Sequence, residues 1–207
     1  SPDGEEGYPG TVEARVTYTG AAPATLAIAF TATTDAPTLL CLTNHSYCAL
    51  DPDETILGQR LTLDADRYLA ADAALFLTGE IAPVAGTPYD FRTARPIGGA
   101  TIDHYFVLDR GEAGPDALVR AARVEARSSG LALECWTTAP GVQVYDANQL
   151  APTDPPGRRG VPYPQHAGLC LETQLFPDAP NRPNFPSAVL RPGEVWRQAT
   201  EYRFEAG

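Results

Sequence analysis

Residues 11–19, TVEARVTYT, decide the fold class, because apolar and polar side chains alternate along them without a break. The side chains that share one face of this segment in an extended conformation are apolar: Val12, Ala14, Val16 and Tyr18. A period of two is the pattern of a β-strand with one buried and one solvated face. The segment therefore predicts a half-buried strand.

The same alternation recurs to the end of the chain, in segments separated by turn signals such as Asp-Gly, Gly-Gly and Pro-Gly. Residues 114–126, GPDALVRAARVEA, fit either a helix capped by Asp116 or a strand from Leu118 onward, and the strand is favoured. The pattern predicts an all-β, mainly antiparallel protein. The further strand candidates are TLAIAFTAT (25–33), QRLTLDA (59–65), HYFVLD (104–109), GLALECWTT (130–138), GVQVYDA (141–147), GLCLETQ (168–174) and VWRQATEYRF (195–204).

Composition and charge exclude several classes of partner. The 207 residues are 43% hydrophobic and 20% charged, which predicts one globular domain over 1–207. The net charge is −11, and all fifteen basic residues are Arg. Because this charge repels polyanions, nucleic acid and anionic membrane surfaces are not expected as partners. No apolar run reaches the roughly 18 residues of a membrane span.

The cysteines indicate the compartment. None of Cys41, Cys48, Cys135 and Cys170 forms a CxxC pair, so neither a zinc knuckle nor a thioredoxin-like motif is present. We interpret them as small apolar residues, while a pairing of Cys41 with Cys48 stays open. A cytoplasmic protein is the expectation.

The segment LTNHSY (42–47) holds His45, one of three histidines in the chain. Taken alone, its position after the apolar run LLCL favours a histidine that is hydrogen-bonded at a strand end. In TIDHYFVL, alternation sends Asp103 and His104 to opposite faces, so that at most one can face a given site. By the same pattern, Gln143 alternates with Val142 and Val144 and is expected to point outward.

Glu172 is the second candidate for acid–base chemistry. Its neighbours Leu169, Cys170 and Leu171 are apolar, and apolar surroundings raise the pKa of a carboxyl group toward the range of a general base. Alternation leaves open whether Glu172 instead lies on the solvent face of an edge strand. An acid and a base far apart in sequence are what a proton-shuttling site requires.

Eight segments in this order resemble the galactose mutarotase, or aldose 1-epimerase, family over nearly the whole chain. They are SPDGEEGYPG (1–10), VTYT (16–19), LTNHSY (42–47), LTLDADRYL (61–69), LTGEIAPVAGTPYDFR (77–92), IDHYFVL (102–108), TTAPGVQVYDAN (137–148) and GLCLETQLFPDAPNRPNFPSAVLRPGE (168–194). The resemblance implies a large antiparallel β-sandwich, the supersandwich of the galactose mutarotase-like fold. It also implies an isomerase that interconverts the α and β anomers of free hexoses such as galactose and glucose.

The resemblance further implies roles for single residues. Glu172 would take the proton from the C1 hydroxyl, and His45 would protonate the ring oxygen. Asp103 and Gln143 would hold sugar hydroxyls, with Ser46 and Tyr47 lining the same end. A small-molecule sugar is the implied partner, no metal or other cofactor is implied, and His104 and His166 receive no catalytic role.

The chain departs from the family pattern in two places. Cys48-Ala49-Leu50 follows TNHSY where the family usually has Phe-Asn-Leu. The family also has a segment before SPDGEEGYPG that carries an arginine and a histidine of the sugar site. We therefore expect a fragment of a longer chain, in a sandwich that lacks some N-terminal strands and exposes sheet edges and apolar surface.

The sequence leaves two alternatives to an enzyme for free hexoses. The first is a non-catalytic hexose-binding module that kept the sandwich without the full acid–base set. The second is a hexose-phosphate 1-epimerase, which requires an arginine cluster at the pocket rim, and Arg158-Arg159 is the only adjacent pair.

Overall fold

The computed structural model describes residues 1–53, 55–157 and 160–206, and their regular structure is almost entirely β-strand. Two three-residue 3-10 helices, Glu5–Gly7 and Ala179–Asn181, are the helices of this part of the chain, and neither is long enough to cross a membrane. The strands are β1 (Val12–Ala21), β2 (Thr25–Thr34), β3 (Thr38–Leu39), β4 (Tyr47–Cys48), β5 (Arg60–Leu63), β6 (Arg67–Ala71), β7 (Leu77–Pro83), β8 (Arg95–Pro96), β9 (Asp103–Val107), β10 (Val119–Glu125), β11 (Leu131–Thr137), β12 (Gly141–Tyr145), β13 (Leu169–Gln174), β14 (Val189–Leu190) and β15 (Trp196–Ala206).

The strands form two large sheets and one small pair, and all of their pairings are antiparallel. The seven-stranded sheet has the order β1-β2-β15-β11-β10-β5-β8. The six-stranded sheet has the order β4-β13-β12-β9-β6-β7, and β3 pairs with β14. The predicted antiparallel β-sandwich is confirmed.

The main core lies between the two large sheets. Ile28 and Phe30 project into it from β2, and Val142, Val144 and Leu171 project into it from the six-stranded sheet. Because side chains alternate between faces, the residues between these positions point away from the core. On β12 and β13 this puts Gln143 and Glu172 on the outer face of the six-stranded sheet.

The segments expected to be strands from alternation contain strands in the structure, and residues 119–125 are β10, as favoured over a helix. The predicted burial of β1 was wrong. Val12 is half-buried, and the other nine residues of β1 are exposed. The pairing of Val16 with Phe30 and of Tyr18 with Ile28 puts these β1 side chains on the core-facing side of their sheet. Among the described residues, no second layer covers that side.

Buried hydrogen bonds from β15 hold the backbone of β13 on both sides of Glu172. The Tyr202 hydroxyl donates to the Leu171 carbonyl at 2.8 Å, and the Gln198 side-chain amide donates to the Thr173 carbonyl at 2.9 Å. The hydroxyls of Thr173 and Thr200 lie 2.5 Å apart. These bonds join the two sheets directly beneath the outer face, so the position of Glu172 is fixed from the core side.

Candidate active site

A groove of about 520 Å³ lies on the outer face of the six-stranded sheet. Most of its side chains are polar or aromatic, and among the described residues none that lines it is an arginine. The lining residues are His45, Tyr47, Asp103, Gln143, Tyr145, Gln149, Glu172, Gln174 and Pro177.

Strand register brings these side chains together from distant parts of the sequence. Gln143 pairs with Glu172 across β12 and β13, and Tyr145 pairs with Asp103 across β12 and β9. Tyr47 of β4 pairs with Cys170 on the other side of β13. Because paired residues share a face, the adjacent strands β4, β13, β12 and β9 present these side chains to the groove side by side. His45 lies just before β4 and joins them there.

His45 and Glu172, the predicted acid and base, are in contact. The Nε2 atom of His45 lies 3.3 Å from Oε1 of Glu172, and their side chains are 50% and 10% exposed. Burial raises the pKa of Glu172; the nearby His45 opposes this rise, and the negative charge of Asp103 adds to it. Alternation left open whether Glu172 lies on a solvent face. The residue lies on the outer face of its sheet, yet its side chain is largely shielded from solvent.

Asp103 and Gln143 form the second polar pair of the groove. The side-chain amide of Gln143 donates to Oδ1 of Asp103 at 2.7 Å, and that of Gln149 donates to Oδ2 at 3.4 Å. Gln143 points outward, as its alternation predicts. Each carboxylate oxygen has further lone pairs, and the amides keep free hydrogen-bonding groups. The pair can therefore orient a polyol by directional hydrogen bonds.

Two tyrosines surround the imidazole of His45. The Tyr47 ring lies 5.2 Å from it with an interplanar angle of 30°, and the Tyr145 ring lies 6.2 Å from it at 78°. The Tyr145 hydroxyl accepts the backbone N–H of Gln149 at 3.0 Å, which links this aromatic group to the loop beside Asp103. The rings limit the orientations that a half-exposed histidine can adopt.

The remaining candidates lie elsewhere. Ser46 is exposed and is not among the residues that line the groove, and its N–H donates to Asn44 Oδ1 at 3.3 Å. Its sugar contact stays a prediction. The ring of His104 lies on the other face from Asp103, 4.1 Å from the ring of Tyr89, and burial lowers its pKa.

His166 has a structural position. Its Nδ1 atom lies 3.0 Å from the carbonyl oxygen of Asp146 and 3.5 Å from Oδ2 of the same residue, whose side chain is fully buried. The contact anchors the loop that precedes β13 to the end of β12. No catalytic role is assigned to it.

Sequence reasoning missed four groove residues: Tyr145, Gln149, Gln174 and Pro177. Alternation carries a signal for two of them, because Tyr145 lies two residues after Gln143 and Gln174 lies two residues after Glu172, on the same faces. Gln149 and Pro177 lie outside the strands, where no period applies.

Chemically, the groove combines a proton acceptor with a raised pKa, a histidine in contact with it, and directional donors and acceptors close by. Such a set can move protons between two oxygen atoms of one bound polyol. The fold and groove thus define a β-sandwich protein with a candidate acid–base site.

Comparison with known proteins gives the family. The aldose 1-epimerase family model matches residues 1–203. Human galactose mutarotase is 42% identical over 213 residues, which cover 99% of this chain and 60% of that protein. Aldose 1-epimerase from Escherichia coli K12 is 36% identical over 220 residues, which cover 100% of this chain and 62% of that protein. The chain belongs to the aldose 1-epimerase family.

Solved structures agree with this placement. An aldose epimerase homologue from C. elegans superposes with a TM-score of 0.91 at 30% identity, covering 99% of this chain and 63% of that one. Galactose 1-epimerase from Lactobacillus acidophilus gives a TM-score of 0.84 at 26% identity, covering 100% of this chain and 61% of that one. The chain spans about 60% of the length of the relatives that it matches.

Proposed function

We propose that the protein is an aldose 1-epimerase, which interconverts the α and β anomers of free hexoses such as galactose and glucose. The observation that carries the proposal is the 3.3 Å contact between His45 and Glu172 in a groove that also holds the Asp103–Gln143 pair. Membership of the aldose 1-epimerase family supports it.

The reaction follows from the two proton positions. Ionised Glu172 accepts the proton of the C1 hydroxyl while protonated His45 gives a proton to the ring oxygen. The bond between C1 and the ring oxygen breaks, and an open-chain aldehyde forms. Rotation about the C1–C2 bond turns the other face of the aldehyde to the oxygen. Closure reverses both proton transfers, so both side chains return to their starting state.

The protein positions the sugar without using net charge. Asp103 and Gln143 supply a carboxylate and an amide, which bind hydroxyl groups in fixed directions. Holding the ring in a reactive orientation lowers the barrier because the entropy of alignment has already been lost on binding. A neutral hexose is the substrate class that this lining fits.

A phosphorylated hexose fits the groove less well. Its described lining contains two carboxylates, Asp103 and Glu172, and no arginine, so the groove repels a phosphate dianion. The one adjacent arginine pair, Arg158-Arg159, lies outside the described residues.

We also propose a cytoplasmic location, which the four free thiols of the chain support.

Polarimetry of freshly dissolved α-galactose and α-glucose tests the proposal on the complete natural protein that carries this chain. We expect the optical rotation to reach equilibrium faster than in buffer or with heat-denatured protein. Calorimetric titration with galactose measures binding in parallel. Binding without faster mutarotation overturns the proposal and supports the hexose-binding module instead. The absence of both effects also overturns the proposal.

A further inference from the structure

Three side chains of types that can bind a metal ion meet beside the groove, and one of them, the fully buried Cys170, takes no part in the proton transfers. The Nε2 or Nδ1 atom of His45, Sγ of Cys170 and a carboxylate oxygen of Glu172 all lie within 4.8 Å of one another. Cys170 and Glu172 share a face of β13 because they are two residues apart. Pairing of Tyr47 with Cys170 brings His45 to the same place.

The three ligand types suit zinc and similar cations. Thiolate, imidazole and carboxylate are the side chains that bind Zn²⁺ in proteins, and a thiolate selects it over Mg²⁺ or Ca²⁺. Zinc bonds of about 2.0–2.3 Å in a tetrahedron put the ligand atoms roughly 3.3–3.8 Å apart. The contact between His45 and Glu172, at 3.3 Å, already has this spacing.

The surroundings favour a cation at this position. Asp103 adds a second negative charge beside Glu172, and the described groove lining contains no arginine to compete for these carboxylates. A net charge of −11 concentrates cations around the chain as a whole. Three protein ligands leave the fourth position of a tetrahedral ion to water.

We propose that His45, Cys170 and Glu172 bind one zinc-like divalent cation, which excludes the sugar and inhibits the enzyme. Binding converts the Cys170 thiol to a thiolate and releases its proton to solvent. The cation occupies the two groups that exchange protons with the sugar, so metal and sugar compete. The binding site rests on geometry alone, whereas inhibition rests on the proposed function.

Titration of the complete natural protein with Co²⁺, in buffer freed of other metals, tests the binding site. Cobalt bound to a thiolate gives a near-ultraviolet charge-transfer band, which we expect to saturate at one Co²⁺ per chain and to disappear when Zn²⁺ is added. Cys170→Ala and His45→Ala each weaken Co²⁺ binding by at least about tenfold, since loss even of outer-shell partners lowers metal affinity about 10- to 100-fold. Cys41→Ala is the matched control and keeps the band.

The inhibition is measured separately by polarimetry with increasing Zn²⁺, and each variant is compared with its own metal-free rate. We expect added galactose to raise the Zn²⁺ concentration needed for half inhibition, and Cys170→Ala to raise it at least about tenfold. No cobalt band, or a band that forms at the wild-type Co²⁺ concentration in Cys170→Ala or in His45→Ala, overturns the metal site. A band in a protein without mutarotase activity leaves the metal site standing and overturns the proposed function alone.

Discussion

The Nε2 atom of His45 lies 3.3 Å from Oε1 of Glu172, and the two side chains differ fivefold in exposure. His45, at 50% exposed, is open to the groove, whereas Glu172, at 10%, is enclosed by the strands around it. Burial of the carboxyl group raises its pKa, which makes the ionised form a stronger base. The pair thus combines an accessible proton carrier with a shielded acceptor.

Glu172→Gln should stabilise the fold at neutral pH. The folded-state pKa of Glu172 is raised, so the buried charge lowers the free energy of unfolding wherever this residue is ionised. Gln keeps the shape without the charge. The variant is therefore expected to have a higher melting temperature than the wild type at pH 7. Below the unfolded-state pKa of about 4.5, both states of the wild type are protonated and the difference disappears. Thermal melts in chelator-treated buffer at both pH values measure this.

A melting temperature that falls at pH 7 in Glu172→Gln would mean that the contact with His45 outweighs the burial of the carboxylate. The matched control is Glu134→Gln, which removes a carboxylate that contacts Arg120 and Arg123 instead. Burial raises the pKa of Glu134, but the hydrogen bond from Trp136 and the two arginines outweigh this effect and leave the pKa lowered. The control variant is expected to lose stability at neutral pH.

The pH dependence of kcat/KM should report Glu172. The base form is active, so the rate falls as pH drops through the raised pKa of this residue. Asp103 contributes to the rise by its negative charge. Asp103→Asn should therefore move the acid limb of the profile to lower pH. Asp116→Asn is the control, because it removes an equal charge from an exposed loop and should leave the midpoint of the acid limb in place. Equal midpoints in both variants and the wild type would contradict the assignment of this limb to Glu172.

Gln143→Ala should weaken sugar binding more than it slows the chemical step. Its amide donates to Asp103 at 2.7 Å and holds this carboxylate in place, and a hydrogen bond from a sugar hydroxyl to a charged group contributes about 1.5–3 kcal/mol. We expect KM for galactose to rise roughly 10- to 100-fold with a smaller change in kcat. Gln165→Ala is the matched control, because Gln165 is exposed and does not line the groove. A fall in kcat at constant KM would place Gln143 among the reacting groups instead.

Gly141→Ala should destabilise the sheet beneath the groove. A Cβ atom at this position would overlap the ring and hydroxyl of Tyr105, which is 1% exposed and donates to the Gln174 carbonyl. Overpacking of this kind typically costs about 1–3 kcal/mol. Urea unfolding measures the loss. Gly20→Ala, which meets no atom within 4 Å, is the control, and equal stability of the two variants would show that Tyr105 moves freely.

The alternation of apolar and polar residues predicts the long strands, because one face of each such strand is expected to pack against protein and the other to contact solvent. It misses β6 and β7, where small residues weaken the contrast and the chain contains Gly79 and Pro83. It also fails for the burial of β1, because burial depends on whether another layer covers a face. The face of β1 that carries Tyr18 is apolar and still 60% exposed.

The site is partly predictable for a similar reason. Glu172 and Gln143 are suggested by polar residues within apolar strands, but their adjacency depends on the pairing of β12 with β13. That register is set by packing between the sheets and cannot be obtained from either segment alone. The contacts of Gln149 and the rings around His45 depend in addition on where loop residues lie, and loop sequences show no alternation of apolar and polar residues.

The mutarotation rate of Glu172→Gln in the complete natural protein tests the central claim most directly. Polarimetry of fresh α-galactose, with the folded state verified by the melts described above, should give a rate lower by about 10²- to 10⁴-fold than the wild type, because proton transfer by a positioned side chain contributes about this factor. Glu134→Gln should retain most of the activity. A Glu172→Gln variant that is folded and equilibrates galactose at nearly the wild-type rate would contradict the account.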